Sequence, residues 1–340
     1  MTYATIHDSP AVAGHADLRA EFASLLLGCG VFELSNRVKI SLSGNDRVRW
    51  LNGMITNKVR DLPAGQGIYA FVLNPQGHIL GDLYAYNRGE SLLIGTDQSQ
   101  AEKLLGIFRK YIIMDKVEVT NLNNKLAAIG IAGPKAREVL GAAGFELHPL
   151  GPLQFVDVTW RDLAVSVAQS DIAFESYEVW LAPEHVTLVW DALTKSGATP
   201  ISAATLELFR IACGIPRYGQ DIRERDLPQE TEQLRALNFN KGCYIGQEIV
   251  ERIRSRGAVH RKFTGFEVQG PLPAVGTKIQ SEGKDVGEVT SAASLPLLSG
   301  ERAVALGYMR RESATPGQQL EAGDAHLTVA GVPFAGVFPK

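Results

Sequence analysis

The chain has 340 residues, 45% of them hydrophobic and 21% charged, with a net charge of −3. That length exceeds what one core usually supports, so two or three domains are expected. The composition is that of an ordinary globular protein, and the charge gives no global pull toward nucleic acid or membrane. The three cysteines, Cys29, Cys213 and Cys243, are far apart and odd in number. They imply no disulfide framework and fit a reducing compartment. The acidic N-terminus, with Asp8, Asp17 and Glu21, is unlike a secretory signal, and the apolar runs are too short to span a bilayer. The expected location is the cytoplasm.

Val38 to Leu42 alternates apolar and polar residues and reads as a half-buried strand. Asp46 is expected to cap a helix carrying Val48, Trp50, Leu51 and Ile55. Ile68 to Leu73 and His78 to Tyr86 read as a hairpin around the turn Asn74-Pro75-Gln76-Gly77. Ala101 to Ile112 reads as an amphipathic helix. Pro134 suits the first turn of a helix through Leu140. Two strands are expected between Phe155 and Ala168, around Trp160-Arg161-Asp162, and another from Tyr177 to Leu181. Helices follow over 183–195, closed by Gly197, and from a Ser202 cap through Cys213, closed by Gly214. From Phe263 onward, short alternating runs broken by glycine and proline read as a small β-barrel or sandwich. The expected domains are 1–256 and 257–340.

There is no phosphate loop, dinucleotide fingerprint, nucleophile elbow or metal-spaced histidine pair. The densest signal is Lys241-Gly242-Cys243-Tyr244-Ile245-Gly246-Gln247-Glu248, a lone cysteine between glycines ahead of an arginine-rich helix. Glycine permits sharp turns and close approach, and a cationic neighbour or helix N-terminus lowers a thiol pKa. The competing reading is a buried, inert cysteine. The stretch from Lys241 to Lys262 carries six cations against Glu248 and Glu251. It reads either as a solvated helix face or as a site for an anion or RNA backbone.

The cysteine stretch resembles the K-G-C-[FY]-x-G-Q-E signature of YgfZ-type folate-binding proteins, relatives of the glycine cleavage T-protein (aminomethyltransferase). Gly30 to Ser35, Leu51 to Val59, Tyr69 to Asp82 and Leu208 to Gly219 are similar to further family segments, in order. The resemblance implies an α+β fold, with T-protein-like folate-binding subdomains arranged around a central channel and followed by a C-terminal β-barrel. It implies tetrahydrofolate as cofactor, bound by Tyr69, Asp82 and Arg210. The pterin would pair with the carboxylate of Asp82 and stack on Tyr69, and Arg210 would meet a carboxylate or carbonyl. Cys243, with Asp82, would carry any catalysis, and no metal is implied. Clients or assembly factors of iron–sulfur proteins are the implied partners.

Five positions depart from the T-protein pattern, among them Cys213, which replaces an alanine. Gly81 replaces the first aspartate of a D-D pair. Phe174 and Ser176 replace a glutamate and a glycine, and Ala212 replaces a glutamate beside Cys213. These losses favour an accessory factor for iron–sulfur assembly or repair over a one-carbon transferase. An RNA-binding module using 241–262 is the third reading.

Overall fold

A computed structural model describes residues 17–172, 174–257 and 259–338. Asp8 lies outside the described residues.

The chain opens with α1 (Leu18–Leu27), β1 (Gly30–Glu33), β2 (Arg37–Ser43) and α2 (Arg47–Met54). The hairpin β3 (Gly67–Leu73) and β4 (Ile79–Asn87) follows, then β5 (Leu92–Asp97), α3 (Gln98–Tyr111) and β6 (Glu118–Asn121). These strands form a sheet in the order β3-β4-β5-β2-β6. β3 is buried almost throughout because both its faces are covered. Ala70 and Val72 join the core beneath α2 and α3, with Leu104, Leu105 and Phe108. Tyr69, Phe71 and Leu73 point the other way, into a cluster with Ile222, Leu237, Tyr244 and Val250.

The next stretch contains β7 (Ala127–Ala132), α4 (Ala136–Ala142), β8 (Phe155–Trp160) and β9 (Leu163–Gln169). It continues with β10 (Ser176–Leu181), α5 (Val186–Lys195), β11 (Thr199–Pro200) and α6 (Ala203–Cys213). The second sheet runs β11-β1-β7-β10-β9-β8, so β1 crosses into it from the chain start. Pro134 lies in the turn before α4 rather than in its first turn. α6 is capped as expected. Ser202 accepts from the Thr205 N–H, and Gly214 adopts the left-handed φ of 68°. Tyr86, Phe155 and Trp180 pack together where the two sheets meet.

Two short 3₁₀ turns lead to α7 (Gln247–Arg256). The final strands are β12 (Arg261–Gln269), β13 (Lys278–Ser281), β14 (Lys284–Leu297), β15 (Gly300–Arg310), β16 (Gln319–Ala322) and β17 (Ala325–Ala330). They close into a barrel ordered β12-β15-β14-β13-β16-β17. Phe266, Val289, Ala305 and Leu327 fill its interior. Phe263, Leu306 and Tyr308 belong to the core shared with α1 and α6. The α+β fold with a terminal barrel is therefore as the resemblance implied.

Asp46 differs from its expected role. It occupies the N-cap of α2 but makes no capping hydrogen bond. Its carboxylate accepts instead from the Lys116 N–H at 2.8 Å.

Candidate functional site

The hairpin register sets Tyr69 opposite Tyr84 and Phe71 opposite Asp82. Tyr69 and Asp82 are thus diagonal neighbours on adjacent strands, close enough for long side chains to meet. The Tyr69 hydroxyl donates to Asp82 Oδ2 at 2.6 Å. Burial, and then the Asp82 charge, raise the phenol pKa well above its ordinary value. Gln100, in the first turn of α3, holds the same aspartate from the other side. Its Oε1 accepts from the Asp82 N–H at 2.9 Å, and its Nε2 donates to Asp82 Oδ1 at 2.5 Å.

The departure at Gly81 belongs to this arrangement. A Cβ there would lie 2.7 Å from Gln100 Oε1 and 2.9 Å from Leu104 Cδ2. Glycine lets α3 approach the strand closely enough for Gln100 to reach Asp82.

Tyr69 is buried, and its ring is covered by the Arg235 guanidinium, 4.3 Å from the centroid, and by Tyr84, 4.9 Å away. Its hydroxyl is placed to orient Asp82. Arg235 also pairs with Asp171, which accepts from the Tyr84 hydroxyl at 3.4 Å. Asp171 and Arg235 line a cleft of about 430 Å³ that runs along Gly214, Ile215, Lys262 and Val332 to the barrel.

Farther along the sheets, Lys39 pairs with Glu178 at 2.8 Å, and the Trp180 indole donates to Glu178 at 2.7 Å. Burial raises the Glu178 pKa, but Lys39 and Arg37 outweigh it and hold the carboxyl at about 2. Burial lowers the pKa of Lys39 despite this partner. Glu178 accepts from Lys39 and from the indole N–H, and the charge of Arg37 adds to the attraction.

Arg210 does not reach this cluster. Nε and Nη2 donate to Glu207, Nη1 to the Ile215 carbonyl and Asp221, and Nη2 also to Ser291 of the barrel. A guanidinium has five donors, and all five are engaged. Arg210 therefore ties α6 to the barrel, with its donors engaged by protein acceptors rather than left open for a folate carboxylate or carbonyl. Phe174 and Ala212, where polar groups are absent, are part of the apolar packing. Phe174 lies against Phe338 and Phe209, and Ala212 is fully buried.

The cysteine stretch leads into α7. Cys243 is exposed, which excludes the buried alternative, whereas Cys29 and Cys213 are buried. Burial, and then Glu175, push the Cys29 thiol up to about 12. Lys241 turns inward. Its ammonium donates to the carbonyls of Asn52, Ile55 and Asn57 at 2.6 to 2.7 Å. These groups lie at the C-terminal end of α2, where carbonyls lack helical partners and the dipole favours a cation. Burial and the nearby Arg60 lower the Lys241 pKa to about 7. Contact with three carbonyls uses all three N–H groups of an ammonium, so the geometry is that of the protonated form.

The Ile245 N–H donates to the Gly53 carbonyl at 3.2 Å, a second staple to α2. Tyr244 packs in the cluster that contains Tyr69. Gly246 is required by its φ of 83° and by the Asn74 carbonyl, 2.7 Å from where a Cβ would be. Gly242 has open space at that position. Gln247 starts α7, and Glu248 is exposed in its first turn.

The six cations of 241–262 do not form one patch. Lys241 is buried, Arg261 pairs with Asp226 and Glu230, and Lys262 lines the cleft. Arg254 pairs with Glu251. Among the described residues no cluster of histidine, cysteine and acid side chains could hold a metal, and no helix is long and apolar enough to cross a membrane.

A family model described as the GCVT N-terminal domain matches residues 8–241. The chain belongs to this family. A second model, the CAF17 C-terminal β-barrel domain, matches residues 260–334. The pairing agrees with the resemblance to YgfZ-type relatives of T-protein. An aminomethyltransferase of Rubrobacter xylanophilus is 29% identical over 88% of this chain and 81% of its own. A putative chloroplastic transferase of Arabidopsis thaliana is 27% identical over 90% and 71%. The crystal structure of the glycine cleavage system aminomethyltransferase T from Bartonella henselae superposes with a TM-score of 0.85. It is 22% identical and covers 94% of this chain and 90% of that one. This last likeness establishes the fold alone.

Sequence reasoning singled out Tyr69, Asp82 and Cys243 but missed Gln100, Asp171, Arg235 and Glu178. Only Glu178 left a usable trace, as the acid ending the segment compared with T-protein.

Proposed function

We propose that this protein is a tetrahydrofolate-binding accessory factor for iron–sulfur protein assembly or repair, with Cys243 as its working thiol. The observation that carries the reading is the half-buried Asp82 carboxylate, fixed by donors on two sides. Each carboxylate oxygen keeps a second lone pair, so Asp82 can still accept from pterin N–H groups. Arg235 and the adjoining cleft suit the rest of a folate. Cys243 supports a separate reaction or docking role, because it is exposed on a segment anchored at both Lys241 and Ile245. The scattered, unbridged cysteines fit the cytoplasm.

A one-carbon transferase is the rival, in keeping with the names of the curated relatives. It would use the same Asp82 to orient the folate. The apolar packing of Phe174 and Ala212 weighs against it. The dispersal of the 241–262 cations weighs against an RNA-binding module.

Calorimetric titration with tetrahydrofolate tests the proposal. Wild type and Cys243→Ala are expected to bind alike, with Asp82→Ala at least tenfold weaker. Cells relying on Cys243→Ala are expected to lose iron–sulfur enzyme activity. No binding by wild type would refute the folate role. Full activity with Cys243→Ala would refute the thiol role. Turnover of an aminomethyl donor by wild type, abolished by Asp82→Asn, would favour the transferase.

A further inference from the structure

A second cleft, of about 370 Å³, opens where the loop after α6 meets the barrel, and it shares no lining residue with the first. Its walls carry Arg223, Arg225, Arg261, Lys278 and Arg310, against one acid, Glu288. Arg261 is neutralised by Asp226 and Glu230 behind it. The nearby Glu224 is taken by Lys103. Three of the other cations converge on the single Glu288 carboxylate: Arg223 at 2.5 Å, Lys278 at 3.0 Å and Arg225 at 3.5 Å. Strand pairing also sets Arg310 directly opposite Arg261.

Arg223 Nε and Nη2 are buried and have no hydrogen-bond partner among the described residues. The Asp226 carboxylate is 3.9 Å from Nε, beyond hydrogen-bond reach. Buried N–H groups left in this way are rare in proteins. Burial raises the Glu288 pKa, but hydrogen bonds from Arg223 and Lys278 outweigh it and hold the carboxyl at about 2. Glu288 is thus a fixed anion with more positive charge around it than it can balance.

We propose that this cleft binds a phosphate monoester, with the side chains of Arg225, Lys278 and Arg310 on the phosphoryl oxygens and Arg223, whose Nε and Nη2 are buried, adding charge from the wall. A monoester carries about −1.5 to −2 charges on three acceptor oxygens at neutral pH, which suits several cations arriving from different sides. Arginine forks match such oxyanions geometrically. The volume falls in the lower part of the range for small-molecule sites, about 300–1,000 Å³, leaving room for an organic group beside the phosphate.

The test is calorimetric titration of the full chain at low salt with inorganic phosphate, adenosine monophosphate and adenosine. The expected result is binding of the monophosphate and of phosphate, but not of adenosine. A monophosphate much tighter than phosphate identifies an organic monoester as the ligand class, and equal affinities identify free phosphate. Arg225→Ala and Arg310→Ala are each expected to weaken binding about tenfold, because each removes a donor and a charge from the cleft. Glu288→Gln is expected to tighten binding severalfold by removing the competing anion. Arg225 is largely exposed, so Arg225→Ala is expected to fold normally and keeps the test decisive. The proposal is overturned by absence of saturable binding to wild type, by equal binding of adenosine, or by unchanged affinity in both arginine variants. An oligonucleotide lacking a terminal phosphate that competes as well as the monophosphate would replace it with a phosphodiester site.

Discussion

Tyr69 and Asp82 are joined by a 2.6 Å hydrogen bond across the β3–β4 hairpin, with the phenol buried and the carboxylate half-exposed. The tyrosine is therefore a positioning residue for the aspartate. Tyr69→Phe is expected to cost about 1.5–3 kcal/mol of stability, the range for a hydrogen bond to a charged group. Tetrahydrofolate affinity should fall less than in Asp82→Ala. Urea unfolding and calorimetry read the two effects, and an equal loss of affinity in both variants would contradict a positioning role.

Lys241 is the anchor of the cysteine segment. Lys241→Met keeps the apolar stem but strands three carbonyls at the end of α2. Each unsatisfied buried group costs about 1–3 kcal/mol, so a loss of about 3 kcal/mol or more is expected. Proteolytic cutting near 240–246 should rise in parallel. Wild-type stability in this variant would mean that the staple contributes nothing.

The thiols should divide sharply. Cys243 is exposed, whereas burial raises the pKa of both Cys29 and Cys213. One equivalent of an alkylating reagent is expected to react with native protein and three with protein in denaturant. Mass mapping should place the native label on Cys243. Labelling of Cys213 at the same rate would count against the packing of α6 on the barrel.

Gly242 and Gly246 separate folding from function. Gly246→Ala forces a side chain into a left-handed φ and against the Asn74 carbonyl, and should destabilise by about 1–3 kcal/mol. Gly242→Ala meets open space and should leave the melting temperature unchanged. If Gly242→Ala also leaves iron–sulfur enzyme activity intact, close approach of a ligand or partner at that glycine is ruled out.

Glu178 ties stability to acid. Its folded pKa of about 2 lies below the ordinary carboxyl value. Its contribution is therefore fully present above about pH 4.5 and is lost as pH falls toward 2. Glu178→Gln should shallow the acid unfolding curve in that window. It should also cost about 3 kcal/mol at neutral pH, because Lys39 is left buried without its counter-charge. An acid profile identical to wild type would show that Glu178 is not coupled to folding.

Much of the fold was legible because its signals are short-range. The turn Asn74-Pro75-Gln76-Gly77 announces β3 and β4, and Ser202 and Gly214 announce both ends of α6. Tyr69 and Asp82 were singled out through the family resemblance, and the register of the hairpin that carries both is what joins them. Gln100, Asp171 and Arg235 come from separate segments and share no local pattern. Asp46 and Arg210 show the other limit. Asp46 is claimed by the Lys116 N–H, distant in sequence, whereas Arg210 is held mainly by Glu207, Ile215 and Asp221 nearby, with Ser291 of the barrel taking its last donor.

The sequence by itself determined the β3–β4 hairpin, the helices α3, α5 and α6, the run of short strands after Phe263 and the cysteine segment, since periodicity, turn chemistry and caps act over a few residues. Only the tertiary structure decided which donors are consumed and which remain. It buried Lys241 under three carbonyls, engaged all five N–H groups of Arg210 and left those of Arg223 partly unmatched. A polar group's role depends on which acceptors lie within about 3 Å of it, and the chain brings those together only when it folds.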